Sequence, residues 1–302
     1  MAEALEAEVL VEVEPLEVGK IMKKITLLFS ILICVSCQNF GQLKLTADLP
    51  KTLNEVSGTE IIKDSNLIWM INDGGNQPKL YGISYEGKII NEIYVKAKNN
   101  DWEDLTSDNE GNIYIGDFGN NRSKRKDLVI LKVAKKYLNK KNAEVEKIEF
   151  RYPNQYKFPP KKKARFFDAE SFFYLDNYLY IFTKSRVKKQ YGKTSLYRVP
   201  AKAGNYEAVF LGTFENCKNL DCWITSADIS PDKTKVVLLS QENILIFTDF
   251  KDDDFFSGKV RKIELEHRSQ KEGITFKNNN TLIITDERSH GNGRNMYELK
   301  LD

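Results

Sequence analysis

Five times along the chain a short apolar stretch, a tight turn, a second apolar stretch and a polar loop follow one another. The acidic anchors of these copies are spaced 44 to 67 residues apart. The clearest copy is NDWEDLTSDNEGNIYIGDFGNNR, residues 100–122. Its outline recurs from Glu55, from Glu170, from Asp228 and from Glu272. Each copy supplies strand segments rich in Ile, Tyr, Phe, Val and Leu, separated by Gly, Asn and Asp turns. A four-stranded sheet cannot cover both of its faces alone. A repeat of this length therefore predicts blades packed around an axis.

The expected fold is all-β, a single β-propeller of four-stranded blades. Five blades are counted, or six if the insertion at 134–165 hides another; a large β-sandwich is the alternative. Within 134–147, AKKYLNKKNAEVEK could form a turn or two of helix. The fifth copy lacks an outer strand. The segment QLKLTADLP, residues 42–50, is expected to fill that place and close the ring.

The first 36 residues do not match this pattern. Residues 1–21 carry six Glu and one Lys, and read as an acidic extension outside the fold. Residues 22–36 read as a lipoprotein signal peptide. Lys23 and Lys24 precede an apolar run of 11 residues, Ile25 to Val35, too short to cross a bilayer. Val35-Ser36-Cys37 resembles a lipobox, with Cys34 where Leu is usual, so Cys37 would be the lipidated first residue. A plain secreted protein is the alternative. The propeller would then occupy 37–302, in the bacterial cell envelope, anchored to a membrane by lipid. That part has 43 basic and 37 acidic residues, too mild an excess to suggest nucleic acid. Cys217 and Cys222 are close enough for a local disulfide in an oxidising compartment, and no second pair suggests zinc.

Strand direction alternates within a blade. The loop before the first strand and the loop after the second therefore emerge on the same side of the disc. This places acidic side chains from every copy at one channel mouth, Asp101 and Asp104 among them. Crowded carboxylates repel one another unless a cation intervenes, and oxygen-rich clusters suit Ca²⁺. The expected metal ligands are Glu55, Glu103, Asp117, Glu170, Asp228 and Glu272. The bland alternative is that such residues cap backbone amides between blades. Basic loops would form a collar suited to an anionic ligand, or else a solvated rim: Ser123–Lys126, Lys161–Lys163 with Arg165, Lys184–Lys189, Arg288 and Arg294. Expected ligand-binding residues are Asp73, Asn121, Arg122, Lys184, Arg186 and Arg288. Trp102, Phe118, Tyr156, Phe158 and Tyr191 are stacking candidates or ordinary strand residues. His290 is a weak candidate base, more simply an exposed loop residue. No nucleophile elbow, phosphate loop or dinucleotide fingerprint is present.

The phrases EVSG, WMINDGG, DWEDL followed by GDFGNNR, DAESFF, TSADISPD and EGITF resemble a family of secreted bacterial β-propellers, many of them lipoproteins. The resemblance covers residues about 45–300 and implies an extracytoplasmic propeller without fixing an activity. More distantly, the acidic mouth is similar in kind to calcium-dependent propeller phytases and lactonases, without a residue-by-residue match. The leading expectation is a monomeric, calcium-assisted binder of a small anionic ligand. A calcium-dependent phosphoesterase or lactonase is one alternative, and a scaffold for envelope proteins is another.

Overall fold

Alternating β-branched and aromatic residues favour strands, and a computed structural model, which describes residues 39–302, is built almost entirely of them. The acidic extension, the signal peptide and Cys37 lie outside the described residues.

Strand β1 is Lys44–Asp48. Blade 1 comprises β2 (Val56–Glu60), β3 (Ile68–Asn72), β4 (Lys79–Ile83) and β5 (Ile89–Val95). Blade 2 comprises β6 (Trp102–Ser107), β7 (Ile113–Asp117), β8 (Leu128–Val133) and, after the short β9 (Asn142–Ala143), β10 (Val145–Arg151). Blade 3 comprises β11 (Asp168–Leu175), β12 (Tyr178–Lys184), β13 (Lys193–Pro200) and, after β14 (Gly204–Glu207), β15 (Val209–Glu215). Blade 4 comprises β16 (Ser226–Ile229), β17 (Val236–Leu239), β18 (Asn243–Thr248) and β19 (Lys259–Glu264). Blade 5 comprises β20 (Lys271–Asn278), β21 (Thr281–Asp286) and β22 (Asn295–Lys300), with β1 as its outer strand.

The protein is a five-bladed β-propeller. β1 pairs antiparallel with β22, so the strand expected to close the ring does so. The 134–165 insertion hides no blade. It contributes one 3-10 turn at Lys135–Tyr137, β9, β10 and a second 3-10 turn at Lys162–Ala164. β9 and β14 each add a parallel fifth strand to the blade before their own, on β5 and β10.

Five clusters of buried apolar side chains fill the five junctions between blades. Phe118 packs edge-on to Phe172 between blades 2 and 3, and Ile246 meets Ile284 between blades 4 and 5. Trp102 and Phe118 are fully buried, so neither is a stacking surface at the rim; Tyr156 is exposed.

The innermost strands β2, β6, β11, β16 and β20 touch their neighbours in a closed circle. Four of them carry a bulge near the mouth, at Ser57-Gly58, Glu103-Asp104, Glu170 and Glu272; β16 carries none. A bulge re-aims side chains, and here it turns three glutamates toward the axis. One step further in, the strands are laced by side chains. Asp104 accepts the Phe172 N–H (3.3 Å), Ser226 Oγ the Ile274 N–H (3.1 Å) and Asp228 the Phe276 N–H (2.7 Å). Asp104 also accepts a hydrogen bond from Ser226 (3.2 Å), reaching from blade 2 to blade 4 across the axis. Glycines allow this crowding: a Cβ at Gly58 would lie 2.5 Å from the Leu105 nitrogen. The channel is thereby divided into two separate mouths.

Candidate functional site

The bulge positions define the mouth. Aligned by strand pairing, Ser57, Glu103, Glu170 and Glu272 are equivalent, and Thr225 takes the same place in bulge-free blade 4. The ends of the second strands add Asp73, Lys184 and Glu287. Together with Asn121, Arg186 and Gln270 these residues, Thr225 excepted, line a cavity of about 140 Å³ without an aliphatic or aromatic side chain.

One wall is neutralised. Lys184 Nζ lies 2.9 Å from Glu170 Oε2, Arg186 reaches Glu170 Oε1 at 3.0 Å, and Arg186 Nε contacts Asp168. Burial raises Glu170, but Lys184 and then Arg186 more than offset it, so its carboxyl sits below the ordinary range.

The other wall has no ion pair among the described residues, and Arg125, Arg186 and Lys184 act on it only from further off. Carboxylate oxygens of Asp73, Asp101 and Glu103 lie within 4.8 Å of one another. Glu103 is only 7% exposed, and its carboxylate has no hydrogen-bond or ion-pair partner among the described residues. Burial, then the charges of Glu170, Asp73 and Asp101, push it well above the usual carboxylate range. Burial likewise raises Asp101. Burial, resisted by the Gly74 N–H, takes Asp73 to about 6. Burial raises Glu272 to about 8 and, with Asp73 and Glu55 adding to it, Glu287 to about 7. Two glycines make room for the acidic group. A Cβ at Gly119 would lie 2.0 Å from Glu103 Oε1, and one at Gly74 would lie 2.6 Å from Asp101 Oδ1.

The structure thus brings together Glu103, Glu170 and Glu272 with Asp73, Asn121, Lys184 and Arg186. It separates the rest. Asp117 is buried behind the cavity, 2.9 Å from Arg125, where it accepts the Asp101 N–H (3.1 Å) and the Asn100 amide (2.9 Å). Asp228 faces the opposite mouth, beside Glu60. Its motif TSAD aligns Ser226, not Asp228, with Asp104, since those two side chains each accept an N–H from the next inner strand at the same level. Glu55 stays on the outer rim, exposed, taking a hydrogen bond from Asn76. Arg122 and Arg288 are exposed and outside the cavity lining. His290 sits 2.9 Å from Ser289 Oγ in a separate groove between blades 4 and 5. Capping of backbone amides, the bland alternative, accounts for Asp104, Asp228 and Ser226. Asp101 belongs to the acidic wall although the anchor pattern did not select it; its place two residues before Glu103 was the available signal. Cys217 and Cys222 are disulfide-bonded, with Cα atoms 5.8 Å apart.

No protein-family model matches the sequence, and no curated protein matches it. Solved structures with a similar arrangement include a virginiamycin B lyase from Staphylococcus aureus. It is 12% identical, with a TM-score of 0.42, and the match covers 84% of this chain and 69% of that one. A streptogramin B lyase is 12% identical over 86% and 87% of the two chains, with a TM-score of 0.44. A gluconolactonase from Xanthomonas campestris is 11% identical over 88% and 93%, with a TM-score of 0.48. The strand pairing, rather than these likenesses, establishes the fold.

Proposed function

We propose that the protein is a lipid-anchored, extracytoplasmic propeller that binds Ca²⁺ at Asp73, Asp101 and Glu103 and, through it, a small anionic ligand. One observation carries the reading. Glu103 is a buried carboxylate with no hydrogen-bond or ion-pair partner among the described residues, and it faces two others across a space that Gly74 and Gly119 keep open. Three carboxylates with water and a ligand oxygen provide the 6–8 hard oxygens that Ca²⁺ takes. Lys184 and Arg186 are already committed to Asp168 and Glu170. The ligand's charge would therefore be met chiefly by the cation and by the exposed rim. The anchoring and the location rest on the sequence around Cys37.

A hydrolytic reading, a calcium-dependent phosphoesterase or lactonase, draws on Glu287. It lines the cavity with its carboxyl raised by burial to about 7, near the value useful for proton transfer. A bound Ca²⁺ would supply Lewis-acid polarisation of the ligand's oxygen, and Glu287 would hold or release a proton beside it.

Calorimetric titration of the chelator-treated protein with CaCl₂ tests the site. Uptake of one ion is expected, with affinity at least ~10-fold weaker in Glu103→Gln, a loss of about 1.4 kcal/mol. Equal affinity in the variant would remove Glu103 from the site, and no uptake by the wild type would end the proposal.

A further inference from the structure

Cations and carboxylates share one small cavity, yet Lys184 and Arg186 form ion pairs with Asp168 and Glu170 and with neither Asp73 nor Glu103. A lysine has a flexible four-carbon stem, and its ammonium should move toward the least compensated carboxylate within reach. Lys184 instead stays on Glu170. The side chain that borders both cations from outside the cavity is Trp223. Its ring centre lies 5.1 Å from Lys184 Nζ and 4.8 Å from the Arg186 guanidinium carbon. Cations over an indole face are attracted by its quadrupole.

The indole is itself fastened. Its Nε1–H donates to the Ser185 carbonyl (2.6 Å), in the residue between the two cations it covers. Tyr191 packs edge-on against it at 5.3 Å. The Trp223 backbone N–H donates to Leu220 O (3.0 Å), inside the loop tied by the Cys217–Cys222 disulfide. That loop lies flush on the one before β13: a Cβ at Gly192 would sit 2.2 Å from the Cys217 carbonyl oxygen.

We propose that Trp223 is a positioning residue that holds Lys184 and Arg186 against Asp168 and Glu170, and so keeps them off Asp73, Asp101 and Glu103. The inference rests on the cation-binding reading of the cavity. It makes the disulfide-tied loop part of the site's machinery. The stacked indole keeps that lysine on Glu170 and away from the three carboxylates proposed to hold the cation.

The test is calcium affinity, measured by calorimetry at one pH and ionic strength, in wild type, Trp223→Phe, Trp223→Leu, Lys184→Met and Trp223→Leu combined with Lys184→Met. Trp223→Phe keeps an aromatic face and should bind within about threefold of wild type. Trp223→Leu frees the ammonium to compete and should bind at least ~10-fold more weakly. Removing that ammonium should raise affinity several-fold more in the Trp223→Leu background than Lys184→Met alone does in wild type, whereas general damage to the loop would leave the two gains equal. If Trp223→Leu does not fold, Trp223→Met with and without Lys184→Met gives the same comparison. Unchanged affinity in the Leu or Met variant, or equal gains from Lys184→Met in the two backgrounds, overturns the role of Trp223 alone. A wild type that takes up no calcium overturns the cavity reading and this inference with it.

Discussion

In the presence of a chelator, the protein should lose stability steadily as pH rises from about 4 to about 8, and calcium should restore it. The cause is the set of carboxyls that hold their protons more tightly folded than unfolded. Asp73 is raised to about 6, Glu287 to about 7 and Glu272 to about 8, each chiefly by burial. Their unfolded values lie near ~4. Below that both states are protonated and stability is full. Above it the unfolded chain releases its protons first, so stability falls until each folded group has titrated. Glu170, held low by Lys184 and Arg186, acts in the opposite sense, and its contribution is lost only in acid. Each unit of rise corresponds to ~1.4 kcal/mol, so the three groups together could lower stability by on the order of 10 kcal/mol, and a Tm fall of at least roughly 10 °C is expected for a domain of this size. Saturating calcium should flatten the profile, because a bound cation favours the charged carboxylates. Thermal melts across the pH range decide the matter: a Tm that is flat or climbs with pH in chelator contradicts the uncompensated mouth.

Asp104→Ala should destabilise the fold more than any single change at the mouth while leaving calcium uptake intact. Asp104 is fully buried and takes hydrogen bonds from Leu105 N–H (2.9 Å), Phe172 N–H (3.3 Å) and Ser226 Oγ (3.2 Å), on blades 2, 3 and 4. Alanine would leave those donors in a dry interior at ~1–3 kcal/mol each, so a loss of about 3–5 kcal/mol in chemical denaturation is expected. Asn should cost less, about 1 kcal/mol, because its amide oxygen can still accept a backbone N–H and burial already disfavours the charged form of this carboxyl. An alanine variant within ~0.5 kcal/mol of wild type would show that the axial contact contributes little.

The architecture was legible because strand length, turn residues and repeat interval are local properties. The missing outer strand of blade 5 and its replacement by Lys44–Asp48 followed from counting. The mouth was only partly legible. Glu103, Glu170 and Glu272 share a place in the repeat and do converge. Asp228 does not, because it stands three residues beyond Thr225, at the place Thr106 takes in β6, and nothing in the sequence of TSADIS announces that register. Asp117 looked equivalent to a ligand, but Arg125, eight residues later, folds back onto it. The role of Trp223 depends on a loop of blade 4 lying over the end of β12 in blade 3, a juxtaposition that spacing along the chain does not encode.

The contact between Asp104 and Ser226 also determines how traffic must run. With its middle blocked, the tunnel is a pair of blind alleys, and nothing can be handed through from one face of the disc to the other. Whatever occupies the alley at Glu103 has to depart by the door it came in. Were an ion bound there as proposed, a guest seated above it would bar its exit, and loading and unloading would follow a last-in, first-out order.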